Sequence, residues 1–499
     1  MTRIAFRSAA ALALTVLAGC AAGPDFVPPV APAAESYLPG PLPAQTASAD
    51  VAGGEAQRLV QGMDLPGQWW TLFRSSALNS LIERSLKANP NLQAAEAALR
   101  VAMESVRAQE GFYYPTVQAG FTPSRQKNAV GTISPTLTSG APIYNLYTAQ
   151  VAVSYVPDVF GANRRQVESL RAQADSQRFQ LEAAYVSLTS NVVAAAVQEA
   201  ALRAQVEATG KVVGIMREQL QIVQKQYELG AIAMTDVVAQ QALLAQTLAA
   251  LPTLQKQLAQ QRNLIAALAG QLPNEESPET FELAGLELPQ ALPLSVPSKL
   301  VAQRPDVRAA EELLHAASAQ IGVASANLLP QTMITASRGG VSTQFGQLFR
   351  ADNLFWGLAA GITQTLFDGG TLRARKRAAV AAFDQAAGTY RGTVITAFQN
   401  VADALRALEF DAESLKAQLA AERATAQSLE FARKGVELGS LGYLALLNAE
   451  QAYQQAVIGL AQARANRFAD TVALFQALGG GWWNRNDPTS SAANGKDTQ

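Results

Sequence analysis

Cysteine and histidine are almost missing from this 499-residue chain, which has one of each. One cysteine cannot close an internal disulfide, and the pair cannot build a Cys/His metal centre, so no metal or soluble cofactor is expected. An excess of charge is also missing: 39 Lys and Arg face 40 Asp and Glu, a formal net charge of −1. That balance offers no basic field for nucleic acid and no acidic solvating tail. Catalytic arrangements are hard to assemble. The sole histidine, His315, falls in a predicted helix after Pro305 and reads as a core or surface helical residue. Gly369-Gly370 lacks the pattern of a phosphate loop and reads as a bend. No enzyme activity is expected. Beyond Cys20 no run of ~18 or more apolar residues occurs, so no transmembrane helix is expected. A mature chain that crosses a membrane must then do so as a closed β-barrel.

The one cysteine stands at an informative place. Arg3 and Arg7 precede the apolar stretch Ala9–Leu17, and Leu17-Ala18-Gly19-Cys20 follows. Residues 1–19 read as a secretory signal peptide. The site resembles the bacterial lipoprotein signal, in which the cysteine is acylated and becomes the mature N-terminus. The resemblance implies a covalent lipid on Cys20, a diacylglycerol thioether with an N-acyl group. The plainer alternative is a buried cysteine that happens to follow a signal peptide. Ala21, not Asp, follows Cys20, which by the same resemblance favours sorting to the outer membrane.

Residues 20–62 are rich in proline and read as an extended arm that is not a packed element. The chain then repeats itself. Leu86-Lys87-Ala88-Asn89-Pro90-Asn91 matches Val301-Ala302-Gln303-Arg304-Pro305-Asp306, and each opens a helix with proline in its first turn. These helices end before Pro115 and Pro330. Two strand-like stretches follow in each half, then a bend at Phe160-Gly161 or Phe367-Asp368-Gly369-Gly370. A very long helix comes next, broken at Glu228-Leu229-Gly230 or Glu437-Leu438-Gly439, and a last helix ends at Gly270 or Gly479. The reading is a first repeat over 63–271, a Pro-rich linker over 272–298, a second repeat over 299–481 and a disordered tail over 482–499.

Apolar residues in the long helices step by four and three. Leu188, Val192, Ala195, Leu202, Val213, Met216, Leu220 and Val223 mark the first seam; Tyr390, Val394, Ala397, Val401, Ala404, Leu408 and Leu415 mark a looser second one. Alone, such helices would suit a soluble bundle. The strands argue otherwise. Val151, Val153 and Tyr155 alternate with Gln150, Ala152 and Ser154, and Leu354, Trp356, Leu358, Ala360 and Ile362 alternate with Phe355, Gly357, Ala359, Gly361 and Thr363. Val117, Ala119 and Phe121 alternate with Thr116, Gln118 and Gly120; a fourth strand around Thr332–Ser337 is poorly patterned. This suits a transmembrane barrel. Four strands cannot close around a lumen, so other copies must complete it. The fold class is therefore a mixed α+β membrane protein, a long α-helical coiled coil joined to a β-barrel with four strands per protomer.

Cys20 with Gly23-Pro24-Asp25-Phe26, Trp69-Trp70 and Phe73, the tandem repeat, Phe367-Asp368-Gly369-Gly370 and the turn at Leu438-Gly439 form an ordered set. With it the chain resembles the outer-membrane factors of tripartite efflux and type I secretion systems, in their OprM-like lipoprotein branch, with TolC a more distant relative. The resemblance implies a homotrimer, a twelve-stranded barrel, and a helical tunnel in the periplasm. It implies a periplasmic adaptor (membrane fusion protein) and an inner-membrane pump of the RND type as partners, and a passive exit route for small molecules such as drugs. A type I protein-secretion duct and a pore-less periplasmic coiled-coil scaffold are the alternatives. By position, Leu444 matches an apolar constriction at the tunnel entrance, although ordinary coiled-coil packing would also place a leucine there. Asn448 stands where relatives carry Asp, and Asp236 matches an acid that takes part in closing contacts. Arg164, Arg165, Arg373 and Arg375 follow the two bends. They read either as contacts to inner-leaflet phosphates of the outer-membrane lipid or as solvated first turns.

Overall fold

The computed structural model describes residues 22–41, 43–127, 143–275 and 278–485. Cys20, the signal segment and the end of the tail lie outside these residues. The described residues form two compact units, each drawn from both repeats: those within 22–29, 98–177 and 310–390 in one, and those within 30–97, 178–309 and 391–485 in the other.

The repeat is exact in length where it matters. The first copy runs α1 (Ser76–Ala88), α2 (Pro90–Glu110), β2 (Thr116–Lys127), β3 (Ile143–Tyr155), α3 (Ala162–Glu228) and α4 (Met234–Leu268). The second runs α5 (Pro297–Gln303), α6 (Pro305–Ala326), β5 (Gln331–Ser342), β6 (Leu354–Thr363), α7 (Thr371–Glu437) and α8 (Tyr443–Ala477). Helices α3 and α7 each have 67 residues, about 100 Å at 1.5 Å per residue, and α4 and α8 each have 35. Each long helix stops at a glycine with positive φ, +75° at Gly230 and +70° at Gly439. There the Ala231 and Ser440 amides reach back to the carbonyls of Gln226 and Gly435, so orphan carbonyls at the helix end find donors. A side chain at either glycine would strain this turn.

The first unit holds a four-stranded antiparallel sheet in the order β2-β3-β5-β6. The second holds the long-helix hairpins. Their seam is buried at Val192, Val213, Met216 and Val223 in α3, and at Val401, Leu408 and Leu415 in α7. Its other core is aromatic: Trp69 and Phe73 are fully buried and meet Phe475 edge-on, with ring centroids 5.5 and 6.4 Å away.

One expectation needs correction. The N-terminal arm is mostly exposed but makes specific packed contacts towards each end. β1 (Arg58–Gln61) pairs in parallel with β4 (Ala291–Leu294) of the linker, and Gln57 is fully buried, bonded to the Pro289 carbonyl and Thr471. Nearer its start, the Ala22 amide donates to the Phe160 carbonyl, and the Phe26 ring stacks on His315 at 4.5 Å. Proline suppressed the regular pattern without preventing such specific contacts. By length and composition α4 is apolar enough to cross a membrane, but Gln and Thr interrupt its apolar run, so it holds no unbroken run of the length expected of a transmembrane helix. Those interruptions are hydrogen-bonded within and between the hairpins: Gln240 to the Met216 carbonyl and Gln261 to the Ala195 carbonyl within the first, and Thr247 to Gln454 across to the second.

Candidate functional site

Register turns the weak strand pattern into a strong one. Directly opposed residues of antiparallel strands share a face. Val117 lies opposite Val153, Val153 opposite Ala336, and Ala336 opposite Leu358. One step along, Ala119, Val151, Arg338 and Trp356 make the next row, and Phe121, Ala149, Gly340 and Leu354 the one after. The other face carries Gln118, Ala152, Ser337 and Gly357, then Gly120, Gln150, Gly339 and Phe355. One face is thus mostly apolar across all four strands, interrupted by Arg338, and the other is mostly polar or small, with Phe355, Met333 and Val341 as exceptions. β5, whose pattern was unreadable alone, contributes Ile334 and Ala336 to the apolar face. That face is bare: Trp356 is 79% exposed, Leu358 71% and Ile362 75%. β2 and β6 are free edges within the protomer. An apolar band of this kind is costly in water and suited to lipid.

The strand roots differ between repeats. Asp158 accepts hydrogen bonds from the Asn163 and Arg164 amides at 2.9 and 2.8 Å, capping α3. Asp368 does the same for α7 with the Gly370 and Leu372 amides, which hold its carboxyl below the usual carboxylate range. Arg164 sits half-exposed, 3.5 Å from Asp158. Arg165 departs from the expectation of a lipid contact. It is buried, bonded to Asp25 and Glu168 at 2.7 Å each and to the Ala22 carbonyl, and it fastens the arm. The first repeat's arginine was recruited by an acid in the arm, which the local sequence around it does not reveal. Arg373 and Arg375, with Lys376 and Arg377, are exposed.

At the far ends of the hairpins, Val223, Val237, Leu429, Ala432, Tyr443, Leu446 and Leu447 form one apolar cluster drawn from α3, α4, α7 and α8. Burial splits α8 into two faces. Tyr443, Leu446, Leu447 and Glu450 point into the cluster, whereas Leu444 and Asn448, one turn apart, are exposed. Leu444 is therefore not spent on packing within its own chain; it is 69% exposed. Asp236, half-buried, accepts from the Ala233 amide at 3.3 Å, an acid in the first turn of α4 where the helix dipole favours it. Sequence reasoning missed Glu450 and Gln240. A buried Glu at helical spacing looks like any solvated Glu until the faces are assigned. Among the described residues no group of three or more His, Cys, Asp or Glu could hold a metal ion.

A sheet with one mostly apolar exposed face, duplicated strand–helix roots and long helical hairpins together mark an outer-membrane channel of tandem-repeat type. The family description "outer membrane efflux protein" matches residues 81–271 and 296–480, and the chain belongs to that family. It is 30% identical over 493 residues to the probable efflux pump outer membrane protein TtgC of Pseudomonas putida, covering 98% of each chain. It superposes on the outer-membrane channel OprN with a TM-score of 0.82 and 28% identity, over 93% of this chain and all of that one. Against the open state of the Neisseria gonorrhoeae MtrE outer membrane channel the TM-score is 0.79 at 25% identity, covering 94% of this chain and 100% of that one.

Proposed function

We propose that this chain is the passive outer-membrane duct of a tripartite efflux system, carrying small molecules from an inner-membrane pump of the RND type through a periplasmic adaptor. The sheet carries the reading. Its apolar face needs lipid, and its two free edges need strands from other copies, because an open edge in hydrocarbon leaves backbone groups unpaired. Three copies would give a closed barrel of twelve strands, with the polar and small face lining the lumen. The duct performs no catalysis. The lipid on Cys20 would hold the arm at the membrane, and the docked segment from Ala22 to Phe26 supports an anchor close to the strand roots.

Leu444 would supply the apolar constriction of the entrance, with Asn448 beside it and Asp236 holding the neighbouring turn. Asn448 offers dipoles where an acid would offer charge, so cation preference at that ring is weak. Arg373 and Arg375 would meet phosphates of the inner leaflet, with Arg164 contributing less because Asp158 already faces it.

Protein purified in mild detergent should run as a trimer by native mass analysis and give stepwise currents in planar bilayers. Leu444→Ser should raise the resting current. A stable monomer in membranes, or a bilayer without current, would overturn the duct. Cys20→Ser should abolish lipid labelling, and unchanged labelling removes the anchor from the reading.

A further inference from the structure

Beside the exposed gate face of α8 lies a polar group sealed inside the apolar cluster. Glu450 is 2% exposed and Gln240 of α4 is fully buried. Gln240 Nε2 donates to Glu450 Oε2 at 3.5 Å and to the Met216 carbonyl of α3 at 3.3 Å. Three buried atoms around this contact have no hydrogen-bond partner: Glu450 Oε1, Gln240 Oε1 and Nη2 of Arg433 on α7. All four helices of the two hairpins thus bring a polar group to one place. Unmatched buried polar atoms are costly, so the arrangement calls for a second way of pairing them.

We propose that Glu450 is a positioning residue of the gate, a proton-controlled tie between the two hairpins: neutral, it locks α8 to α4 through Gln240; charged, it turns to Arg433 and releases α4. This rests on the duct reading, because the helix it positions is the one that presents Leu444 and Asn448. The chemistry of the two states differs by one proton. A neutral carboxyl can donate its O–H to Gln240 Oε1 while its other oxygen accepts from Gln240 Nε2, a closed two-bond pair that satisfies both side chains. An ionised carboxylate has no proton to give and would face the Gln240 carbonyl oxygen with a like dipole. Its natural partner is then the guanidinium of Arg433, whose free Nη2 is a donor without an acceptor. The neutral state joins one hairpin to the other; the ionised state joins α8 to α7 within its own hairpin. Because α8 is one rigid helix, a shift at Glu450 moves Leu444, six residues away and on the other face.

Burial raises the pKa of Glu450, opposed by the Gln240 donor and then by Arg433. The charged or titratable groups around it are few. Arg433 faces it from α7, and Tyr443 lies on its own helix. Asp236 of α4 acts on Tyr443, and α3 offers the neutral Met216 carbonyl and Gln219. The raised pKa fixes the sign: the locked form is complete below the ordinary carboxyl range and is lost as pH rises through the raised value.

The test uses the full-length protein in lipid vesicles, spin-labelled at Leu229→Cys and Leu438→Cys. These loop-tip positions are 78% and 80% exposed, one on each hairpin. Distances are read by pulsed electron resonance from about pH 5 to about pH 9, a span that brackets a carboxyl raised by burial. The tips should separate as pH rises. Glu450→Gln, which keeps the shape and the two-bond pairing without a titrating proton, should hold the low-pH distance throughout. Arg433→Gln, which removes the partner of the ionised form, should move the transition to higher pH. A parent protein with no pH response, or an unchanged response in Glu450→Gln, overturns the tie. Bilayer currents run in parallel separate the two readings. Distances that follow pH without any current sink the duct and leave the tie standing; currents over unmoving distances do the reverse.

Discussion

Helices α4 and α8 occupy the same place in the two repeats and have the same 35 residues, yet six residues of α4 are buried against sixteen of α8. α8 runs through the core of its unit. Phe468 and Phe475 meet Phe73, and the arm closes over Arg467. α4, though apolar enough to span a membrane by composition, leaves most of its apolar stretch unburied. The two copies kept helices of equal length here; burial then set them apart. The helix that gathers the arm became a core helix. The other kept most of its apolar residues facing outward.

The largest test of that difference is Arg467→Ala. Arg467 is fully buried and donates to the Glu55 carbonyl and Gln57 Oε1 at 3.0 Å each and to Thr46 at 3.3 Å. Removing it strands these acceptors and leaves Asp470 without its nearby cation, a loss of about 3 kcal/mol or more. Leu258 takes the matching step along α4 and is only half-buried. Leu258→Ala should cost well under half as much. Thermal unfolding of both variants in detergent, followed by circular dichroism, measures the gap; equal losses would erase the distinction between the helices.

A second test sharpens it through pH. Asp470, three residues beyond Arg467 on α8, is pushed up to about 8, first by burial and then by the neighbouring carboxyl of Asp411, with Arg467 opposing. A carboxyl raised on folding is neutral in the native chain and charged in the unfolded one across the interval between the two values. Its contribution to stability is therefore complete below about pH 4, the ordinary carboxyl range, and is lost progressively as pH climbs. The loss ends near the folded value of about 8. Asp470→Asn should flatten this fall in melting temperature from acid to mildly alkaline pH. An unaltered slope would place the titration elsewhere.

The repeat, the turns at Gly230 and Gly439 and the strand–helix order were legible because they are local: proline opens a helix, glycine closes it, and apolar spacing follows the element between them. The membrane face of the sheet was half legible. β3 and β6 alternate clearly by themselves, but β5 joins the apolar face only once Ala336 is seen opposite Val153 and Leu358. What stayed hidden depends on contacts across long stretches of chain. Asp25 finds Arg165 over 140 positions, and Gln240 finds Glu450 over 210. No spacing rule near either residue marks the partner. Leu444 and Asn448 were placed by resemblance, and it is the burial of Tyr443, Leu446 and Leu447 beside them that assigns both to the free face.

The smallest effect separates the two strand roots. Arg165 and Arg373 each follow a bend into a 67-residue helix, and in sequence they are alike. Arg165 has 8% of its side chain exposed and is bonded to Asp25 and Glu168, while Arg373 is exposed. Replacing Arg165 by Ala removes two charge-assisted bonds, but Asp25, whose side chain is 93% exposed, returns to water at little cost. The net loss should be about 1–2 kcal/mol, and the arm should become sensitive to protease near Phe26. Arg373→Ala should leave stability within about 0.5 kcal/mol and the arm protected. If Arg373 meets lipid phosphates, its loss shows elsewhere, as weaker retention of anionic phospholipid by the purified protein. The discriminating measurement is thus a pair: limited proteolysis for the arm and lipid content for the root. Arm protection lost in Arg373→Ala, or kept in Arg165→Ala, would mean that the two roots do the same work after all.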